Sequence, residues 1–403
     1  MTGLLIFVLT YALISARRLN FLKLDRPAAA LLGAVLCVGL GVLTPEAAAA
    51  AVDGRTLLLL IGVMGLGAFL AVDGFFDDLE VGLARWARTP GRLLASVIWG
   101  AGVLSALMTN DAVCVLAAPL VVRLVERHRL PPLPYLLGLA TAANTGSAAT
   151  LLGNPQNMLC AQLGDLRYLD HLILVGPVAL VGLGLNHAVV HLTFRQALRG
   201  IMLHAAPARP ILRPRSALTI AVIAGVAVVA GVGGDLAWTA LGGFVLLMLA
   251  HHRDTGRLWP HMDGTLLLFF AGLFVVVEGL RAEGWAAWFF GHVPLTTAGD
   301  LLSVRTASIF LVGANVVSNV PFILVVQDQV AALPNPRLGW ELLSMVSTFA
   351  GNLTLLGSVA NIIVAQHARH LGGIGFFQYL RVGLPVALGT TALGVLWLQW
   401  VAG

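Results

Sequence analysis

Runs of about 17–25 apolar residues, the length a helix needs to cross the hydrocarbon of a bilayer, recur along the whole chain and are parted by short connections. That pattern limits the fold more than any other feature. In hydrocarbon each backbone N–H and C=O must be paired inside its own segment or in a closed barrel. Segments this long and this uniformly apolar are helices. Composition agrees: only 11% of the 403 residues are charged, against about 25% in soluble proteins, and the mean hydropathy is +0.90. The expected class is an all-α polytopic membrane protein. The first run, Leu4 to Ala16, has no basic region before it and no cleavage site, so it reads as a retained span and not as a signal peptide.

The net charge is +5, with Lys23 the only lysine. The arginines lie in connections between apolar runs, which is the positive-inside pattern of membrane proteins and not a nucleic-acid-binding surface. Cys37, Cys114 and Cys160 sit within apolar runs and imply no disulfide framework.

In residues 1–200 spans are expected near 2–16, 27–43 and 56–72. A stretch over 75–92 follows, in which Phe76, Leu79, Leu83 and Trp86 recur at three-and-four spacing, the mark of an amphipathic interfacial helix. Polar-interrupted segments near 93–127 and 134–164 come next, then a span near 171–193. A basic linker at 201–215 divides the halves, and residues 216–403 repeat the order. They give spans within 216–280, an interfacial Trp-rich stretch at 281–299, interrupted segments near 303–333 and 341–367, and a last span near 379–400.

Charge decides the threading. Arg17, Arg18, Lys23 and Arg26 place the first connection in the cytoplasm. If 93–127 crossed the membrane, Arg123, Arg127, Arg129 and the linker would all fall outside. A re-entrant hairpin there keeps both basic clusters inside. Each half then has five crossings, one of them broken, and one hairpin. An odd number of crossings makes the halves inverted repeats, with both termini outside the cytoplasm, an arrangement found in secondary transporters.

An internal repeat supports this division. The stretch from Ala149 to Gln162 aligns without gaps on Leu353 to Gln366, offset by 204 residues, with seven of fourteen positions identical. A weaker repeat pairs Thr109-Asn110-Asp111 with Ser318-Asn319-Val320 at offset 209. Gly146, Gly153 and Pro155 in the first half, and Gly351 and Gly357 in the second, are poor in helix interiors and mark backbone breaks. A break frees backbone groups that protein or a water-filled cavity must satisfy. Asn144, Thr145, Ser147, Thr150, Asn154 and Asn157 flank one break; Asn352, Thr354, Ser358 and Asn361 flank the other. Together with the hairpin-tip residues Thr109, Asn110, Ser318 and Asn319 they are candidate substrate-binding groups. The competing reading is glycines that pack helices and hydroxyls bonded to their own backbone.

Asp111 stands at the first hairpin tip, and its repeat partner is the neutral Val320. An intramembrane carboxylate is costly and marks function, here as proton carrier or Na⁺ ligand; capping the second hairpin arm is the other reading. His187 and His191 are four apart but have no evident acidic or Cys partner, so no metal site is expected. No cofactor is expected beyond a coupling ion. Glu278 and Arg305 read as interfacial. His-Glu-x-x-His and Gly-x-Ser-x-Gly are absent from the chain, which argues against an enzyme.

At these residues the sequence resembles the ion transporter superfamily of arsenite permeases, sodium–proton antiporters and divalent-anion–sodium symporters. Asn144 to Thr150, leading into Gly153-Asn154-Pro155-Gln156-Asn157, is similar to its anion permeases and to plant silicic-acid and arsenite efflux carriers. Gly351 to Ser358 resembles the second-half motif of arsenite permeases. The tips Thr109-Asn110-Asp111 and Ser318-Asn319-Val320 differ from the Ser-Asn-Thr usual in the symporters, which favours the permease branch. The resemblance implies a homodimer in the bacterial inner membrane. In it the first spans of each half form a scaffold, while hairpins and broken helices form a transport unit moving like an elevator, with the interfacial helices as arms. The expected substrate is a small oxyacid or anion such as arsenite or silicic acid, exported with proton coupling through Asp111. Na⁺-coupled uptake of an anion or dicarboxylate is the alternative, and a channel a further one.

Overall fold

The computed structural model describes residues 1–15, 24–199, 214–251, 255–296 and 303–402, with the side chains of 15, 84–86 and 402 also outside the description. Arg17, Arg18, Lys23 and nearly all of the 201–215 linker lie outside the described residues, as does the end of the 281–299 stretch. Helices are the only regular secondary structure among the described residues.

The first set is α1 (Thr2–Ser15), α2 (Arg26–Gly39), α3 (Pro45–Ala51), α4 (Gly54–Val72), α5 (Phe75–Trp86), α6 (Pro90–Leu107), α7 (Asn110–Arg127), α8 (Pro132–Ser147), α9 (Pro155–Gly164) and α10 (Tyr168–Phe194). The second is α11 (Pro214–Gly231), α12 (Leu236–His251), α13 (Gly264–Ala282), α14 (Trp285–His292), α15 (Val304–Val317), α16 (Asn319–Ala331), α17 (Pro336–Ala350), α18 (Val359–His367) and α19 (Phe376–Ala402). Six of these, α4, α6, α10, α11, α13 and α19, are long and apolar enough to cross a membrane. Helices α1, α2, α12 and α15 are apolar but shorter. Helix α6, assigned from charge to a re-entrant arm, thus also has the length of a span. Helix α3 is an addition to the sequence reading, started by the Thr44 cap and Pro45.

Local chemistry sets the boundaries, and it recurs. Asp25 accepts from the N–H of Ala28 at the start of α2, and Asp235 from the N–H of Trp238 at the start of α12. Asp53 and Asp263 cap α4 and α13 in the same manner. Each of these pairs is 210 residues apart. Helices α10 and α19 both carry an internal proline, Pro177 and Pro385.

The helices sort into two packing groups. In one, α2 packs on α13 and α4 on α12, with α1, α3 and α11 alongside. In the other, α6–α10 pack among themselves and against α15–α19. Helix α5 touches α4, α6 and α7, and α14 touches α13 and α16, so both short helices bridge the groups. Two glycines allow close helix approach in the first group. A Cβ on Gly62 would lie 2.7 Å from the carbonyl carbon of Ala240, and one on Gly272 2.7 Å from that of Ala30. These contacts are reciprocal at offset 210, and only a glycine tolerates them.

Candidate functional site

The site is built around two helix breaks. Helix α8 stops at Ser147 and α9 starts at Pro155; α17 stops at Ala350 and α18 starts at Val359. The carbonyls freed at the end of each first segment meet an asparagine from the second. Nδ2 of Asn157 donates to the carbonyls of Ser147 (3.1 Å) and Thr150 (2.9 Å). Nδ2 of Asn361 donates to those of Gly351 (2.7 Å) and Thr354 (3.1 Å), the same positions shifted by 204. Proline or a polar cap starts the second segments. Asn154 accepts from the N–H of Asn157 at 2.7 Å, and Ser358 from that of Ala360 at 3.2 Å.

The two breaks also hold each other. Thr348 of α17 donates to Oδ1 of Asn157 (2.8 Å), and Asn144 of α8 donates to Oδ1 of Asn361 (2.9 Å). Asn154 donates to Thr348 (3.1 Å), and Ser358 donates to Asn144 (2.9 Å). Nδ2 of Asn144 also faces Oδ1 of Asn352 at 2.9 Å, and Asn352 in turn donates to Thr145 (2.9 Å) and to the carbonyl of Thr141 (3.1 Å). Ser344 completes the set by donating to Asn157 at 2.8 Å. A buried amide costs several kcal/mol in hydrocarbon unless bonded, and these amides are bonded to one another. Close approach holds the first break: a Cβ on Gly153 would lie 2.1 Å from the Ser147 carbonyl oxygen.

The tips α6–α7 and α15–α16 meet the breaks from the side. The N–H of Asn110 donates to the carbonyl of Gly153 (2.9 Å), and its side chain donates to Asn144 (2.9 Å). Ser318 holds φ 72° and ψ 152°, a region nearly restricted to glycine and costing about 1–3 kcal/mol. Thr150 donates to the carbonyl of Ala106 (2.6 Å), and Thr354 to Oδ1 of Asn315 (3.0 Å).

Between the two packing groups lies a cavity of about 260 Å³. Its polar lining is Asn110, Asp111, Gln156, Asn315, Ser318, Asn319 and Ser358 from one group and Arg26 from the other; Ile14, Leu266, Phe269 and Phe270 supply the apolar wall. Asp111 also borders an adjoining cavity of about 400 Å³ that reaches Thr109, His261 and Asp263. The groups that act on its carboxyl are Asp263, Arg26 and the backbone N–H of Ala360 at the start of α18.

Of the sequence candidates, Asn110, Asp111, Ser318, Asn319 and Ser358 line the central cavity, and Thr109 the adjoining one. Asn144, Thr145, Ser147, Asn154, Asn157, Asn352 and Asn361 are joined in the buried network, with Thr150 and Thr354 bonded at its edges. Gln156, Asn315 and Arg26 belong to the cavity too. Gln156 was visible within its motif, and Arg26 was visible only as a topological charge. The partners Ser344 and Thr348 carried no signal, being hydroxyls in an apolar run. A second buried pair was also missed. His171 Nδ1 lies 2.5 Å from Glu341 Oε2, and its Nε2 3.0 Å from the Ala148 carbonyl at the end of α8. His187 accepts from Trp99 at 3.4 Å and meets His191 edge to face, with ring centres 6.1 Å apart. Among the described residues no cluster of three or more His, Cys, Asp or Glu is placed to hold a metal, and the three cysteines are free and buried.

Comparison with known proteins gives a consistent relation. The family model described as citrate transporter matches residues 11–350. The silicon efflux transporter LSI3 of Oryza sativa subsp. japonica is 31% identical over 93% of this chain and 92% of its own. A transporter, arsB, of Dictyostelium discoideum is 25% identical over 93% of this chain and 87% of its own. A 46 kDa membrane protein of Mycobacterium leprae is 27% identical over 98% of both chains.

Proposed function

Because the chain belongs to the citrate transporter family, and so is a multi-pass membrane transporter and not an enzyme, we propose that it moves a small oxyacid or inorganic anion of the arsenite or silicic acid type by proton-coupled alternating access. The observation that carries this reading is the central cavity. It lies between the two packing groups, takes both hairpin tips into its wall, and contains one carboxyl, Asp111, with one guanidinium, Arg26, among otherwise uncharged donors and acceptors. Its volume of about 260 Å³ suits a small hydrated solute. Efflux of silicon by the rice relative supports a neutral oxyacid as cargo.

Two inverted repeats account for the recurring caps, the reciprocal glycine contacts and the mirrored asparagine network. An elevator accounts for the packing groups: the α1–α4 and α11–α13 set is the scaffold, the other set the moving unit, and α5 and α14 the arms. On the charge-based threading, α2 and α13 both begin at the cytoplasmic face. The cavity, lined by Arg26 and Leu266 from their first turns, then opens toward the cytoplasm. The homodimer and the bacterial inner-membrane location belong to the same proposal; cross-linking in membranes tests the former.

A second reading, Na⁺-coupled uptake of citrate or another multivalent anion, is favoured by the family's description and by Arg26 in the cavity wall. The charge balance weighs against it. One guanidinium opposite one carboxylate leaves no net positive field for a multivalent anion. Counterflow in proteoliposomes separates the two. Saturable arsenite or silicic acid exchange, driven by a pH gradient and lost in Asp111→Asn, is expected. Flux driven by a Na⁺ gradient at fixed pH and indifferent to Asp111→Asn would overturn the proton reading.

A further inference from the structure

The central cavity has one charged group on each of its two walls, and the walls belong to different packing groups. Arg26 is the first residue of α2, which packs on α1, α3 and α13; Asp111 is in the first turn of α7, which packs chiefly on α6, α8 and α18 and more lightly on α5 and α4. Helices α2 and α7 are not among the closely packed pairs. Both nevertheless line the same cavity. Opposite charges that face one cavity attract, and moving an ionised Asp111 away from Arg26 forfeits that attraction.

We propose that Arg26 is the coupling partner of Asp111: a fixed counter-charge on the scaffold that holds the moving unit in this conformation while Asp111 is ionised and frees it when Asp111 takes a proton. The inference rests on the reading of Asp111 as the coupling carboxyl. Movement of the unit carries Asp111 away from Arg26, because each keeps its own helix neighbours. With Asp111 ionised, that step moves the carboxylate away from the guanidinium and past apolar wall residues such as Phe269 and Phe270. With Asp111 protonated, the step separates no opposite charges. Arg26 thereby opposes movement of the unprotonated unit, which is the event that would let solute slip without a proton. In this account Arg26 is a positioning group that acts through Asp111, and contact with the cargo is not required of it.

The other titratable groups that face Asp111 are Asp263 at the start of α13, His261 in the turn before it, and Cys114 one turn along α7. Asp263 also belongs to the scaffold and repels an ionised Asp111, so it works against the hold that Arg26 supplies. His261 needs its own control.

The test reads the conformation directly and needs no knowledge of the cargo. Leu356 lines the cavity and is exposed, whereas the three natural cysteines are buried. A Leu356→Cys variant in inside-out vesicles is labelled with a membrane-impermeant maleimide across mildly acidic to mildly alkaline pH, each rate normalised to the unfolded protein at the same pH. Labelling is expected to rise with pH, by at most about tenfold per unit for a single titrating group. Adding Arg26→Lys keeps the rise, and so does adding His261→Gln. Adding Arg26→Gln or Asp111→Asn flattens it. In counterflow Arg26→Gln loses acceleration by a pH gradient, read as the ratio of its exchange with and without the gradient. A rise that survives Arg26→Gln overturns the proposal, and so does an Arg26→Lys variant as flat as Arg26→Gln, since the argument requires only the charge. Failure of the parent reading looks different: labelling that is flat in the Leu356→Cys background itself removes Asp111 as the titrating switch before Arg26 is changed.

Discussion

The asparagines divide by what they touch, and the division has measurable consequences. Asn157 makes four side-chain hydrogen bonds, two to carbonyls of its own break and two from the hydroxyls of Ser344 and Thr348 across the repeat boundary. Asn157→Ala removes all four, at about 0.6 kcal/mol for each interhelical bond in a membrane protein, and leaves two carbonyls and two hydroxyls to find other partners. A loss of roughly 2 kcal/mol or more follows, seen as a lower unfolding temperature in detergent. Asn361→Ala behaves alike, because its donors reach the equivalent carbonyls. Gln156→Ala, next in chain to Asn157 but facing the cavity, is expected to leave the unfolding temperature nearly unchanged and to raise the KM for counterflow. Equal thermal shifts for Asn157→Ala and Gln156→Ala would refute this division. The sequence showed polarity beside each break, and the glycines and Pro155 showed where the helix stops. It did not show whether a given amide faces solute or another amide, because that depends on the other repeat, some 200 residues away. Ser344 and Thr348 stayed unread for the same reason: a hydroxyl in an apolar run is ordinary until its partner is known. Arg26 was read by its sign alone, since a charge at the start of a span normally marks the membrane interface.

Helix order, caps and breaks were the parts most open to sequence reasoning, because each depends on residues close in the chain. Asp25, Asp53, Asp235 and Asp263 are favoured cap residues and start their helices where the apolar runs begin. Pairing between elements was less accessible. That α4 would pack on α12 and α2 on α13 turns on Gly62 and Gly272, two among 45 glycines, and nothing local distinguishes them. The structure makes them testable. A methyl at either position meets the backbone of the facing helix, not the yielding end of a side chain. Gly62→Ala and Gly272→Ala should each cost about 1–3 kcal/mol, the usual penalty of overpacking, and by similar amounts because the contacts are reciprocal. Gly242, on α12 with open space where its Cβ would stand, is the control. Gly242→Ala should be neutral or slightly stabilising, by up to about 1 kcal/mol from helix propensity. Thermal unfolding of the three purified variants checks the order, and a Gly242→Ala variant as damaged as the other two would show that the helix approach is not what these glycines provide.

At the scale of the whole molecule the question is whether the two packing groups move against each other. The described contacts that join them directly are sparse, and one of the most defined is polar. Arg281 at the end of α13 binds Asp328 of α16 through two bonds, at 2.9 and 2.6 Å, while also holding Glu278 at 2.7 Å. Asp328 is 54% exposed, so the pair adds only about 0–1 kcal/mol to stability, and Asp328→Asn should leave unfolding nearly unchanged. Its value lies in marking a place where the groups touch in this conformation. If the set containing α16 slides past the set containing α13, these positions must separate in each cycle. An Arg281→Cys/Asp328→Cys variant bridged by a short bis-thiol reagent should therefore stop counterflow, with activity restored on reduction, while the unbridged double variant keeps it. A bridge within one group gives the comparison. Leu174 of α10 and Trp397 of α19 are joined by a 2.8 Å hydrogen bond from the indole to the carbonyl, and both helices belong to the same body. Bridging cysteines there should leave exchange intact, because a rigid unit does not need that distance to change. Rocking within each group predicts the reverse pattern, with the α10–α19 bridge inhibitory and the α13–α16 bridge tolerated. Turnover that survives the α13–α16 bridge would confine alternating access to smaller motions at the hairpin tips, and the strained Ser318 backbone would then be the natural hinge to examine.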